Sequence, residues 1–215
     1  MLPFTRDQFF EVFAAYNAAT WPAAVLAYPL ALAAVMLAWR GGPAAGRVVA
    51  AILALMWAWV GIVYHGLFFV AINPVAPVFA ALFVGQAALL GWHAWKGRGL
   101  GCGPRSRRRA FAGGAMIIYA LVVYPIIGLA AGERFPSMPL FGVAPCPLLI
   151  FTLGLMLWSN SSSRWLWVML VLWAVVGGSA AVLLSVPQDW ALSISALISL
   201  LFVWVERPAQ RRTMT

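Results

Sequence analysis

The sequence predicts an all-α fold: a polytopic membrane bundle of seven transmembrane helices, with an interfacial helix at its N-terminus. Three observations predict it. The 215 residues are 64% hydrophobic and only 9% charged, against about 25% charged in soluble domains. Apolar runs near twenty residues recur, the length needed to cross a hydrocarbon core about 30 Å thick. The basic residues concentrate in alternate gaps between those runs. A net charge of +9 would suggest nucleic acid in a soluble chain. Here the charges sit where they set topology, so no nucleic-acid partner is expected. Cys102 and Cys146 are too few for a disulfide framework. Their expected positions also lie on opposite sides of the membrane. No basic n-region or cleavage site marks a signal peptide.

Residues 1–20 read as an amphipathic interfacial helix. Thr5 and Gln8 have the spacing of a capping box. Phe9, Phe10, Phe13 and Tyr16 recur at helical spacing, with Asp7 and Glu11 on a more polar side. Residues 21–205 form the transmembrane domain. Span one runs from Trp21 to Trp39, and the short positive loop 40–47 follows. Span two runs from Val48 to Ile72, carries His65 and ends at Asn73-Pro74-Val75-Ala76-Pro77. Span three runs from Val75 to Trp95, with Gln86 near its middle. The loop to Arg109 holds Lys96, Arg98, Arg105, Arg107, Arg108 and Arg109 without an acid, a composition suited to anionic lipid headgroups.

Span four runs from Ala110 to Ala130. It opens on Gly113-Gly114 and meets Pro125. Span five has a clean apolar run only from Leu148 to Trp158, too short to cross. It lengthens to about sixteen residues only if Val143 and Pro145-Cys146-Pro147 join it. A broken helix is the other reading of 141–158. The triplet Asn160-Ser161-Ser162 matches a glycosylation acceptor but falls on the expected cytoplasmic side. Span six runs from Trp165 to Val186. Span seven runs from Trp190 to Val205, after a tight turn holding Asp189. Residues 206–215 form a basic tail.

Placing the N-terminus outside and the C-terminus inside leaves only Arg6 and Arg134, of 14 basic residues, on the outer face. That positive-inside asymmetry sets the N-out/C-in orientation. Trp21, Trp39, Trp95, Trp158, Trp165, Trp190 and Trp204 fall near expected interfaces. Few lysines and many arginines, alanines and prolines suggest a high-GC bacterium, so the expected location is a bacterial cytoplasmic membrane, crossed several times. Membrane lipids are the expected surroundings. A homo-oligomer or a partner membrane subunit stays open.

His65 is an ionisable group within an apolar span, a placement that often marks a functional interior. Cys146 sits between two prolines near the outer end of span five. His65, Tyr124, Cys146 and Thr152 all belong to the outer half, with Glu133 and Arg134 in the loop above. Together these six make the candidate pocket. Thiolate and imidazole suit copper(I) or zinc, so His65 and Cys146 are candidate metal ligands. Gln86 and Tyr119 read as interhelical hydrogen-bonding groups. No acid lies deep in any span. No HExxH, serine elbow or carboxylate pair points to hydrolysis, and enzymatic activity is left undecided.

Tyr124-Pro125, Gly132-Glu133-Arg134-Phe135-Pro136, Pro139, Phe141-Gly142-Val143, Pro145-Cys146-Pro147 and Phe151-Thr152-Leu153-Gly154 form one extended pattern. Together with Leu2-Pro3-Phe4, Tyr16-Asn17 and Trp21-Pro22, it resembles an uncharacterised family of small bacterial multi-pass membrane proteins, a domain of unknown function. The resemblance covers most of the chain and implies no activity. The chain departs from the family pattern at Glu133, where histidine is common, and this disfavours a metal site at that position. Three functions fit. The leading one is a small-solute or ion transporter, or a channel-like protein, with an outward pocket near spans two, four and five. The others are a non-catalytic accessory or lipid-interacting subunit, and a membrane-embedded metal or redox protein using His65 and Cys146.

Overall fold

The computed structural model describes residues 2–96, 100–101, 103–104, 106–159 and 163–212, with 204–212 as backbone only. Arg98, Arg105, Cys102 and the triplet 160–162 lie outside the described residues. The chain is all-α. Among the described residues, five helices are long and apolar enough to cross a membrane: α1 (Arg6–Arg40), α2 (Pro43–Ala71), α3 (Ala76–Trp95), α4 (Arg107–Ala130) and α6 (Trp165–Leu183). Two further helices complete the bundle: the 13-residue α5 (Pro145–Leu157) and α7 (Trp190–Arg212), whose apolar part ends at Val203.

Thr5 and Gln8 close the capping box at the start of α1. This helix joins two helical segments across a kink at Thr20, beside the boundary expected at Trp21. Thr20 alone leaves helical geometry (φ −128°, ψ 16°), and its hydroxyl bonds the Tyr16 carbonyl at 2.7 Å. That kink turns the aromatic first half onto the bundle. Phe13 stacks on Tyr64 with centroids 4.9 Å apart, and Tyr16 meets Phe68 at 5.3 Å. Ala27, Ala31, Ala34 and Ala38 are buried at helical spacing along the second half, which lets the neighbouring backbone come close.

Residues 141–159 are all buried. This stretch is the centre of the bundle, and α1, α2, α4, α6 and α7 wrap it. It enters as a turn and continues as α5. Thirteen helical residues rise only about 20 Å, so the non-helical lead-in supplies part of the path. Irregular backbone at this depth is tolerated only under protein cover, and helix α1 supplies that cover. The Tyr16 hydroxyl donates to Val143 O at 3.0 Å, while Asn17 Nδ2 donates to Pro136 O and Met138 O at 2.5 and 2.8 Å. Gly142 takes φ 77° and packs against Ala27.

The Pro-Cys-Pro start of α5 has a backbone explanation. A helix leaves its first four N–H groups without intrahelical acceptors. Here the Ala144 N–H goes to Leu140 O at 2.9 Å, and Pro145 and Pro147 have no N–H to satisfy. Only the Cys146 N–H is left. The two prolines and the Ala144 bond together let a helix begin in a dry interior with one orphan donor instead of four.

The connections sort to two ends. At one, Leu100 N donates to Gly46 O at 3.2 Å, and the Ser159 hydroxyl reaches the Leu100 carbonyl. This end gathers the basic connections. Arg109 is buried there, and its Nη2 reaches Phe202 O at 3.4 Å. Trp158 is buried at this end and bonds Ala110 O at 3.0 Å. Trp21, Trp39, Trp95, Trp165 and Trp190 stay exposed on the helical surface. The opposite end collects residues 2–13 and the connections around 69–75, 131–144 and 184–189.

Helices α4 and α5 touch backbone to backbone. A Cβ on Gly113 would lie 2.7 Å from Gly154 O and 2.6 Å from the Trp158 ring, and one on Gly154 would lie 2.7 Å from Gly113 O. Gly154→Ala should therefore destabilise the bundle by about 1–3 kcal/mol through overpacking. Gly85→Ala, with open space at its Cβ, should leave stability unchanged or raise it. Thermal melting of the two variants in the same lipid nanodisc compares them directly.

Candidate functional site

The second end of the bundle holds a cavity of about 120 Å³. Tyr64 and His65 line it from α2, Tyr124 from α4, Cys146 from α5, and Asp189 from the turn Pro187–Asp189 before α7. Irregular backbone delivers most of them. Residues Val60–Phe68 form a π-helix that carries Tyr64 and His65. A second π segment, Tyr119–Val123, immediately precedes Tyr124. The wider turn of a π segment rotates the following side chains relative to an α-helix, and such segments recur at functional sites.

Asp189 is the chemical centre. It is only 4% exposed. The Tyr124 hydroxyl donates to its Oδ1 at 2.6 Å, and the Cys146 thiol also interacts with the carboxylate. Burial pushes the Asp189 pKa up to about 7, against the hydrogen bonds from Tyr124 and Cys146, while nearby Glu133 pushes it the same way as burial. Behind it, Gln188 Nε2 donates to both oxygens of buried Glu133 at 2.8 Å, and the Tyr119 hydroxyl bonds Gln188 O at 2.8 Å. Burial also raises the Glu133 pKa, opposed by the Gln188 bond and by the charge of Arg6.

His65 is fully buried, and neither ring nitrogen has a hydrogen-bond partner. Aromatic rings enclose it: Phe83 at 4.8 Å, Tyr64 at 4.9 Å, Trp173 at 5.1 Å, and Phe69 and Phe79 at 5.7 Å between centroids. Leu2, Phe4, Phe9 and Phe13 close the cavity from the N-terminal side.

Of the six expected pocket residues, His65, Tyr124 and Cys146 share this cavity. Glu133 reaches its edge through Gln188. Arg134 is exposed, and its Nη1 bonds Leu129 O and Glu133 O at 2.7 and 2.8 Å rather than the Glu133 carboxylate. Thr152 lies elsewhere in the core, donating to Leu148 O at 2.7 Å and accepting Trp57 Nε1 at 3.0 Å. Gln86 donates to Leu166 O at 3.1 Å. Of the basic loop, Lys96, Arg107 and Arg108 are exposed, with the Lys96 ammonium over Trp92 and Trp95. Asp189, Tyr64 and Trp173 were not singled out by the sequence. Asp189 reads there as an ordinary turn acid, and only the folded turn buries it.

The expectation of copper(I) or zinc on His65 and Cys146 is overturned. Among the described residues, no group of three or more His, Cys, Asp or Glu side chains could hold a metal ion. The physical reason is local: the His65 imidazole is ringed by Phe69, Phe79, Phe83, Tyr64 and Trp173 rather than by the His, Cys, Asp or Glu side chains a metal needs.

The sequence profile of a family of unknown function, DUF6064, matches residues 6–213, and the chain belongs to that family. No curated protein and no solved structure matches it.

The raised Asp189 pKa fixes the sign of a pH dependence. The folded carboxyl holds its proton more tightly than an unfolded one, which titrates near 4. Its contribution to stability is complete below about pH 4 and is lost as pH rises to about 7, then stays constant. Glu133 acts in the same sense. Melting of the full chain in nanodiscs between pH 4 and 9 should show this decline, and Asp189→Asn should remove most of it.

Proposed function

We propose that the protein is a small-solute transporter of a bacterial cytoplasmic membrane, with its binding site in the cavity around Asp189. The observation that carries this reading is the convergence of His65, Tyr124, Cys146 and Asp189, from four elements, on a space at the end of a broken central helix. Buried polar groups in hydrocarbon are expensive and concentrate along solute pathways. Transporters commonly place their sites where a discontinuous helix begins inside the bundle, and irregular backbone at that depth is tolerated where it lines a cavity.

The chain crosses seven times in this reading, N-out and C-in. The lead-in 141–144 joined to α5 makes the fifth crossing, from the cavity end to the basic end. The basic connections then face the cytoplasm, where Lys96, Arg107 and Arg108 meet anionic headgroups. The cavity opens toward the outer side, beneath the N-terminal segment.

Cys146 provides the test. In a Cys102→Ser background, the small neutral reagent methyl methanethiosulfonate should modify Cys146 in the folded protein in nanodiscs. A solute that fills the cavity should slow that modification at least several-fold, and the same solute should accumulate in proteoliposomes. A Cys146 that reacts only after denaturation would mean a sealed core and overturn the reading.

A further inference from the structure

We propose that the cavity takes a small organic cation, an ammonium or quaternary amine, held by the Asp189 carboxylate against aromatic walls. This rests on the solute-binding reading above and names the class of solute. The first argument is charge. A buried carboxylate requires a counter-charge or a proton. The partners of Asp189 are the Tyr124 hydroxyl at 2.6 Å and the Cys146 thiol. The other titratable groups acting on this cluster are acidic or phenolic: Glu133, Tyr64 and Tyr119. No lysine or arginine is among the described residues that line the cavity. Arg6 stands outside, its Nε on Leu184 O at 3.0 Å and its charge toward Glu133. The site therefore has an anion and lacks a cation.

The second argument is the walls. Phe4, Phe9, Phe69, Phe79 and Trp173 line the same space. Aromatic faces attract cations, most of all when water is excluded, and indole is the strongest. His65 adds an independent sign of a missing guest. It is wholly buried on the cavity wall with both nitrogens unpartnered, and an imidazole nitrogen can accept an ammonium N–H.

The alternatives fit less well. A hard inorganic cation such as calcium wants six to eight oxygen ligands, and aromatic carbon covers most of this surface. An anion would meet the carboxylate. At about 120 Å³ the cavity is somewhat smaller than the roughly 150 Å³ that accepts benzene, which favours a guest near methylammonium in size over choline.

Titration calorimetry on the full chain in nanodiscs at pH 8 tests the inference. The probes are choline, methylammonium, sodium, and 3,3-dimethylbutan-1-ol as the uncharged isostere of choline. At least one organic cation should bind saturably, ten-fold or more tighter than the uncharged isostere and sodium. Asp189→Asn, which preserves shape, should weaken that binding at least ten-fold, and Trp173→Leu should weaken it by a smaller factor. If the isostere binds as well as choline, or Asp189→Asn leaves binding intact, the cation inference falls and the solute site stands. The same holds if no cation binds while another solute protects Cys146. A Cys146 unreachable in the folded chain would instead remove the solute reading itself.

Discussion

A backbone running through a dry interior must find a partner for every N–H and C=O. In this fold that constraint falls on residues 141–159, a wholly buried stretch that α1, α2, α4, α6 and α7 cover. An unpartnered peptide group in hydrocarbon costs several kcal/mol, so a central segment that is part turn and part helix needs unusual support. It comes from side chains of α1. Tyr16 and Asn17, one after the other, hold the carbonyls of Val143, Pro136 and Met138. Trp59 Nε1 in turn donates to the Tyr16 hydroxyl at 2.8 Å, which ties α2 to the same joint. The prolines of α5 complete the solution by deleting donors that the interior could not satisfy.

Once the central segment is short and buried, its neighbours must come close. This explains where small residues accumulate. Alanines line the inner face of α1, and Gly113 meets Gly154 across α4 and α5. In lipid the association of helices gains little from the hydrophobic effect, so close packing and polar contacts decide it. The cavity around Asp189 lies at the end where the chain is least regular.

Much of the architecture was legible because bilayers impose strong rules. Apolar length marked the long helices, Thr5 and Gln8 marked a helix start, and the isolated His65 stood out because ionisable residues are rare in spans. The short run Leu148–Trp158 announced that something was broken, and the prolines showed where. Asp189 was not legible. A turn acid between two spans looks the same in sequence whether it faces water or folds inward. Its burial depends on Tyr124, Cys146 and the N-terminal phenylalanines, all distant in sequence. The π segments were hidden for a similar reason. Val60–Phe68 and Tyr119–Val123 carry the composition of any apolar helix, and tertiary packing selects their wider turn.

The placement of irregular backbone separates a site from a mere core. A cluster needing only packing would be better served by apolar side chains in regular helices, since a buried polar group gains little over a hydrophobic one of similar shape. Here the departures gather around one space: a π-helix under His65, a π turn before Tyr124, a proline-started helix at Cys146 and a 3₁₀ turn at Asp189. Each gives up regular hydrogen bonding and aims a polar group at the same cavity. Sparsely favoured backbone persists where the surrounding structure fixes it, and it clusters where a protein binds or acts. An unpartnered imidazole and a carboxylate lining one cavity, with no basic side chain among the described lining residues, are poor packing but a suitable arrangement for a guest.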